Sequence, residues 1–354
     1  MAAANPSIAP PAAAAGDRVV HRKPFVVRNA RVLLVWGLLI LLLAVYVAQA
    51  PQFRPREQRT IANSGLTLAV AGLGQTMVVL TGGIDLSVGP MVSLTNSVAS
   101  AITPKDNPGA MWKTAVIVLA IGALGGMING ALVAYGRLQP IIVTLATASV
   151  WSGIALYVRP QPGGFIPPQF SEMLSGTAFQ KEPLRLPFGL SWSTPLPKAL
   201  FVVLALVALW MIFRQTRLAT RIFAVGSSEG AAYMSGVDVA RAKMLAYTLA
   251  GLAAGAAGLV TSAQTSTGNA LAGNVLTLNS IAAVVLGGAS LAGGAGTYLG
   301  TLAGAYVIAL IPSVLFFFGV SPFYQQMFQG SILLVAVSLG ALGVFRIRNR
   351  MDRL

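Results

Sequence analysis

Leu80-Thr81-Gly82-Gly83-Ile84-Asp85-Leu86-Ser87-Val88-Gly89-Pro90 interrupts two apolar blocks, and its reading decides the fold. Gly82, Gly83, Gly89 and Pro90 oppose a helix running straight through. The apolar block that follows, 88–103, has 16 residues, about 24 Å of helix against a hydrocarbon core of about 30 Å. The break is therefore expected below the membrane surface, in a re-entrant or split helix. Non-helical backbone persists at that depth only where protein buries it or where it lines a cavity. Asp85 would then lie near hydrocarbon, at a cost of about 2.5–3.5 kcal/mol if left at a helix centre. Two readings stay open: Asp85 or Ser87 caps the following helix at the cytoplasmic interface, or Asp85 takes part in a solute pathway.

The composition around this stretch points the same way. Of 354 residues, 55% are hydrophobic and 9% charged, whereas soluble domains average about 25% charged. Mean hydropathy is +0.74. A cytosolic enzyme and a disordered chain are both excluded, and an all-α polytopic membrane protein is expected. The net charge of +15 does not mark a nucleic-acid partner, because the 24 Lys and Arg residues lie between apolar blocks and line no face. The absence of cysteine removes disulfides and thiolate metal sites. His21, the single histidine, sits in a polar tail and reads as solvated.

Residues 1–31 are Ala- and Pro-rich, end in five basic residues, and read as a disordered cytoplasmic tail at the lipid surface. The block 32–50 ends Ala48-Gln49-Ala50, which mimics a cleavage site. The long leader, the nineteen-residue apolar run and Pro51 favour an uncleaved span. Further spans are expected at 61–81, 88–103, 112–135, 140–158, 198–213, 244–263, 276–292, 297–318 and 325–345, about ten in all, within a transmembrane domain 32–346. With both termini cytoplasmic, 15 basic residues fall inside and 9 outside, although Arg54, Arg56 and Arg59 run against the trend. The loop 159–197 carries eight prolines and reads as external, either a docking surface or a connector. The loop 214–243 is inside, and 347–354 is a second cytoplasmic tail.

A second glycine-rich break, Leu286-Gly287-Gly288-Ala289-Ser290-Leu291-Ala292-Gly293-Gly294-Ala295-Gly296, echoes the first. The match, Val78 to Leu86 against Val284 to Leu291, is short and takes a one-residue gap. Paired glycine-interrupted segments in two halves point to a substrate site in transporters. The candidate pathway residues are Gly82, Gly83, Asp85 and Ser87 in the first break and Gly287, Gly288 and Ser290 in the second. Gly122-x3-Gly126-x3-Gly130 and Gly296-x3-Gly300-x3-Gly304 read as helix-packing faces. No phosphate-binding Gly-Lys loop, metal motif or Ser-His-Asp set occurs, so neither enzyme activity nor a metal or cofactor is expected.

The Leu80–Gly89 segment resembles the hallmark of permease subunits of ribose- and other monosaccharide-type ABC importers. Phe223-Ala224-Val225-Gly226-Ser227-Ser228-Glu229-Gly230-Ala231-Ala232-Tyr233-Met234-Ser235-Gly236-Val237 resembles their cytoplasmic coupling segment. Ala270-Leu271-Ala272-Gly273 and the 286–304 glycine run add to a likeness covering about 55–345. One departure is Gly230, which separates Glu229 from Ala231-Ala232-x3-Gly236, where importers generally carry Glu-Ala-Ala-x3-Gly.

The resemblance implies a permease in the bacterial inner membrane that moves a monosaccharide, with ATP hydrolysed by separate cytoplasmic ATP-binding subunits. It implies a periplasmic sugar-binding protein and a second permease copy, or a homologous permease, beside this chain. It places coupling to the ATPase on Gly226, Glu229, Ala231, Ala232, Ser235 and Gly236, on a short helix whose small residues face outward into a partner's groove. The alternatives are a secondary carrier or facilitator acting alone, or an ABC permease for nucleosides or branched-chain amino acids.

Overall fold

The computed structural model describes residues 25–50, 55–178, 184–185, 191–192 and 196–325, with 327–328, 330–331 and 334 beyond them. By internal contacts the chain divides into Met1–Ala30 and Arg31–Leu354. The elements in chain order are α1 (Phe25–Gln49), α2 (Pro55–Ser64), α3 (Leu66–Leu80), α4 (Val88–Ile102), α5 (Met111–Ala134) and α6 (Pro140–Val158). The loop 159–197 contributes α7 (Pro168–Ser175) and four two-residue strands, β1 (Thr177–Ala178), β2 (Leu184–Arg185), β3 (Ser191–Trp192) and β4 (Leu196–Pro197). Then come α8 (Lys198–Arg214), α9 (Arg217–Ser227), α10 (Glu229–Met234), α11 (Val239–Thr265), α12 (Asn274–Leu286) and α13 (Tyr298–Phe317).

A helix lies in nine of the ten expected apolar blocks, and the tenth, 325–345, falls mostly outside the described residues. Among the described residues six helices are long and apolar enough to cross a membrane, or seven if α8 and α9, bent by 76°, form one broken span. The difference from ten is physical. At 15 and 13 residues, α4 and α12 reach only about 20–23 Å of a core about 30 Å thick. The block expected at 276–292 is helical only to Leu286.

The described residues of the loop 159–197 form short antiparallel pairings. β1 pairs antiparallel with β4 and β2 with β3. Arg59 Nε donates to the Ser175 carbonyl at 2.7 Å, tying α2 to the end of α7. Gly163 and Gly268 exchange backbone hydrogen bonds at 2.9 and 2.7 Å, joining the loop to the turn after α11.

All fifteen residues of α3 are buried, as are thirteen of α4, so the polar stripe Ser93, Asn96, Ser97 and Ser100 of α4 faces protein. The α5–α11 pair packs backbone to backbone: a methyl group on Gly122 would overlap the Gly251 carbonyl, and one on Gly126 the Tyr247 carbonyl. The first glycine triplet is thus a packing face, where small residues let helices approach closely. In the second triplet, Gly300 lies against Gly287 and Gly304 against the Ala283 carbonyl, joining α12 to α13.

Replacement of Gly251 by Leu forces α5 and α11 apart and is expected to destabilise the protein by about 1–3 kcal/mol or more. Gly153 in α6 has nothing within 4 Å of a built Cβ. Its replacement by Ala should leave the melting temperature unchanged or raise it, since Ala favours helix by about 1 kcal/mol over Gly. Thermal unfolding in detergent, read by fluorescence, checks both.

Candidate functional site

The two glycine breaks are built alike. At the end of α3 the Gly82 N–H donates to the Val79 carbonyl at 2.9 Å and the Gly83 N–H to Val78 at 3.2 Å, with Gly82 at φ +80°. This is a Schellman stop, which needs a left-handed residue at the position after the cap. At the end of α12 the Gly288 N–H donates to Val285 at 2.9 Å and the Ala289 N–H to Val284 at 3.1 Å, with Gly288 at φ +86°. In this register Val78–Gly83 aligns with Val284–Ala289 without a gap. Val79, Val284 and Ala289 share one small buried cluster, so the two stops pack on each other.

A third segment meets them. The Gly294 N–H donates to the Leu80 carbonyl at 3.0 Å. A methyl group on Gly226, near the end of α9, would overlap that same carbonyl. A Cβ on Gly293, which sits at φ +91°, would lie 2.7 Å from the Gly226 carbonyl and 2.8 Å from the Gly82 nitrogen. The first break, the second break and the expected coupling segment therefore touch through bare backbone. Beside the junction is a cavity of about 460 Å³ lined by Gly82, Gly83, Gly226, Glu229, Lys243 and Tyr247, among others. Lys243 Nζ pairs with Glu229 Oε2 at 2.6 Å at its rim. Tyr247 Oη is buried and takes no partner among the described residues.

Asp85 is buried, but it faces its own turn. Its Oδ1 accepts from the Ser87 N–H at 2.8 Å and from Ser87 Oγ at 2.7 Å. Ser87 Oγ in turn accepts from Asn129 Nδ2 of α5 at 2.8 Å. Thr144 of α6 accepts from the Leu86 N–H at 3.1 Å and donates to the Pro140 carbonyl at 2.9 Å, holding the other side of the break. The first break is thus held by hydrogen bonds from two helices.

Of the expected coupling residues, Glu229, Ala231 and Ala232 lie on α10, where the Ala231 N–H donates to Ser228 Oγ at 3.3 Å. Gly236 ends α10 at φ +77° with open space around it, and Ser235 Oγ donates to the Ala231 carbonyl at 2.8 Å. Two placements correct the sequence reading. Ala232, expected to face outward, is buried with Val225 and Ala242, because the helical period turns it toward α9 and α11. Gly226 is pressed against Leu80 and does not sit on the outer face. Beside Ala231, Ser235 and Gly236 the exposed face carries Tyr233 and Met234, 71% and 84% exposed, which sequence reading left out. Their signal was an aromatic and a methionine side by side in a polar loop. Gly287 packs on Gly300, and the Ser290 backbone N–H donates to the Ala295 carbonyl at 2.8 Å, closing the second turn.

One irregular stretch was not singled out as a break. After Ser266, at φ +56°, residues 267–273 run back along α4. Asn96 Nδ2 donates to Ser262 Oγ at 2.8 Å and to the Thr267 carbonyl at 3.1 Å, and its Oδ1 accepts from the Asn269 N–H at 2.7 Å. The Gly273 N–H donates to Ser93 Oγ at 2.8 Å. Gly268 and Gly273, packed against Ser100 and Gly89, were the available signal.

Residues 59–337 match the family model described as branched-chain amino acid transport system / permease component. The chain is 38% identical over 312 residues to the ribose import permease protein RbsC of Bacillus subtilis (strain 168), covering 86% of this chain and 90% of that one. It is 34% identical over 307 residues to RbsC of Escherichia coli (strain K12), covering 84% and 90%. To the galactose/methyl galactoside import permease protein MglC of the same organism it is 30% identical over 324 residues, covering 87% and 93%. No solved structure matches it.

The Asp85 geometry makes a prediction about stability. Asp85→Asn keeps an oxygen for the Ser87 N–H and should melt close to the parent. Asp85→Ala leaves buried donors of Ser87 without their acceptor, and should lose about 1–3 kcal/mol of stability in detergent melts.

Proposed function

Because the chain belongs to the branched-chain amino acid transport system / permease component family, we propose that it is the membrane-spanning permease subunit of an ATP-driven importer that moves a monosaccharide across the bacterial inner membrane. The observation that carries this reading is the near full-length match to a ribose import permease, over 86% of this chain and 90% of the relative. A branched-chain amino acid cargo is the second reading, favoured by the description of the family. The protein is a multi-pass transport subunit, not an enzyme. ATP is hydrolysed on separate cytoplasmic subunits, a periplasmic binding protein delivers the sugar, and a second permease copy completes the pore.

In this reading the tail 1–31 and the tail 347–354 lie in the cytoplasm, and 32–346 is the membrane domain with 159–197 outside and 214–243 inside. The ten apolar blocks are retained, with α4 and α12 as short elements that begin or end within the bilayer. The bias of 15 inner to 9 outer basic residues supports this orientation.

The coupling segment is α10 with its flanks. Tyr233 and Met234 offer an apolar knob to a groove of the ATP-binding subunit, and Gly236 lets the chain turn sharply beneath it. A movement of α10 reaches α9 directly, and α9 bears through Gly226 on the Leu80 carbonyl at the end of α3. With no side chain in between, a displacement there cannot be absorbed by a rotamer change. Gly82, Gly83, Gly287 and Gly288 supply the turns about which the two breaks adjust, while Asp85 and Ser87 keep the start of α4 in one piece. ATP binding on the partner then shifts the balance between inward and outward access.

Reconstitution with the ATP-binding subunits and the binding protein should give sugar uptake that needs both. Uptake by this chain alone would establish a facilitator instead. Gly226→Val should still co-purify with the ATP-binding subunits while uptake falls about tenfold or more, the factor that about 1.4 kcal/mol gives. Tyr233→Ala should weaken that association by about 2 kcal/mol, as for an exposed aromatic anchor, measured by titration of the purified subunits.

A further inference from the structure

A second cavity, of about 350 Å³, opens at the opposite ends of the helices from the coupling segment. It lies between the starts of α3 and α12, the end of α11 and the outer half of α13. Along α11 its lining residues Thr261 and Gln264 are about 33 and 38 Å from Val239, where the helix leaves the coupling loop. We propose that this cavity is a transit subsite for a neutral polyhydroxylated ligand, a single sugar ring, with Asn279 as the residue that holds its hydroxyl groups. The assignment rests on the permease reading above and adds to it a place on the route.

The chemistry of the lining selects the ligand class. None of the twelve lining residues is charged. A zwitterionic amino acid or a phosphate would bring ionic groups to walls that offer no counter-charge, and burying an unpaired charge is costly. A sugar brings hydroxyls, each a donor and an acceptor, which match amide and hydroxyl side chains. The volume falls at the lower end of the roughly 300–1,000 Å³ typical of small-molecule sites.

The polar groups already committed show which one is left for a ligand. Thr67 Oγ1 donates to Gln264 Oε1 at 3.1 Å, and Gln264 Nε2 donates to the Asn63 carbonyl at 2.9 Å, so the glutamine amide is fixed. Ser64 Oγ and Thr261 Oγ1 donate to carbonyls of their own helices. The Asn279 amide makes no hydrogen bond to any described residue, although it is half-buried on an otherwise mostly apolar helix. It presents two donors and an acceptor to the cavity, where Leu68, Ile308 and Pro312 supply apolar surface. A polar side chain in an apolar spanning bundle is a functional candidate by its cost alone. No aromatic side chain lines the cavity, so there is no stacking platform and binding is weak. Weak binding suits passage, since a site on a route must also let go.

The test uses the whole importer, permease with its ATP-binding subunits and binding protein, in nanodiscs and proteoliposomes. D-ribose, D-galactose, D-xylose and L-arabinose are the probes, and L-leucine and L-valine are the zwitterionic controls. The chain has no cysteine, so Asn279→Cys carries a unique thiol. Its reaction with a small neutral maleimide in nanodiscs should slow about threefold or more with a transported sugar at about 100 mM, enough to fill a site of millimolar Kd, and should not slow with either amino acid. Asn279→Leu should lower uptake of that sugar about tenfold, the loss of one to two ligand hydrogen bonds, and Asn279→Gln should restore most of it. Co-purification of the ATP-binding subunits establishes that each variant is folded and assembled. If the parent importer takes up none of the four sugars, the monosaccharide reading itself falls. If the parent imports a sugar, but the thiol is unprotected, or equally protected by amino acid, or Asn279→Leu transports normally, the subsite is refuted and the permease reading stands.

Discussion

A helix that stops inside an apolar bundle leaves backbone N–H and C=O groups that no water reaches, and each must find a partner within the protein. Most of what is distinctive in this structure follows from that constraint. The ends of α3 and α12 are closed by Schellman turns at Gly82 and Gly288. The start of α4 is closed by Asp85 on Ser87, with Thr144 of α6 taking the Leu86 N–H. The irregular stretch 267–273 is held by Asn96 and Ser93 of α4. Ser93, Asn96 and Thr144 are thus buried side chains of α4 and α6 that satisfy broken backbone.

The same constraint accounts for the glycines at the junction. A carbonyl at the end of α3 that must be paired in a dry place needs a close donor, and the Gly294 N–H reaches Leu80 at 3.0 Å. Room for that contact exists only because Gly226 and Gly293 have no side chains. One arrangement both satisfies the helix end and places the segment around Gly226 in direct contact with both breaks. The Glu229–Lys243 pair beside it is partly exposed and contributes little energy, so it positions the two helices more than it stabilises them.

The two ends of the bundle differ in kind. The end at Gly226 and Leu80 is a backbone junction rimmed by an ion pair, suited to transmitting displacement. The opposite end holds an uncharged cavity with an unengaged amide, suited to a neutral solute. Along α11 the lining residues of the two cavities are 14 to 21 residues apart, about 21–32 Å.

By itself the sequence determined the class, the order of the apolar blocks and the sites of both breaks. Composition and run length depend only on solvent preference along the chain, and glycine at Gly82 and Gly288 marks left-handed stops whatever surrounds them. Two glycine triplets were legible as packing faces for the same reason: a close helix approach tolerates no Cβ. Tertiary structure alone decided which segments meet. Nothing in the spacing of Leu80, Gly226 and Gly294 indicates a shared carbonyl, because the contact spans more than 200 residues of chain. The orientation of α10, with Ala232 inward and Tyr233 and Met234 outward, depended on where α9 and α11 lie. So did the return of 267–273 along α4, since its backbone partners are side chains of a helix some 170 residues earlier.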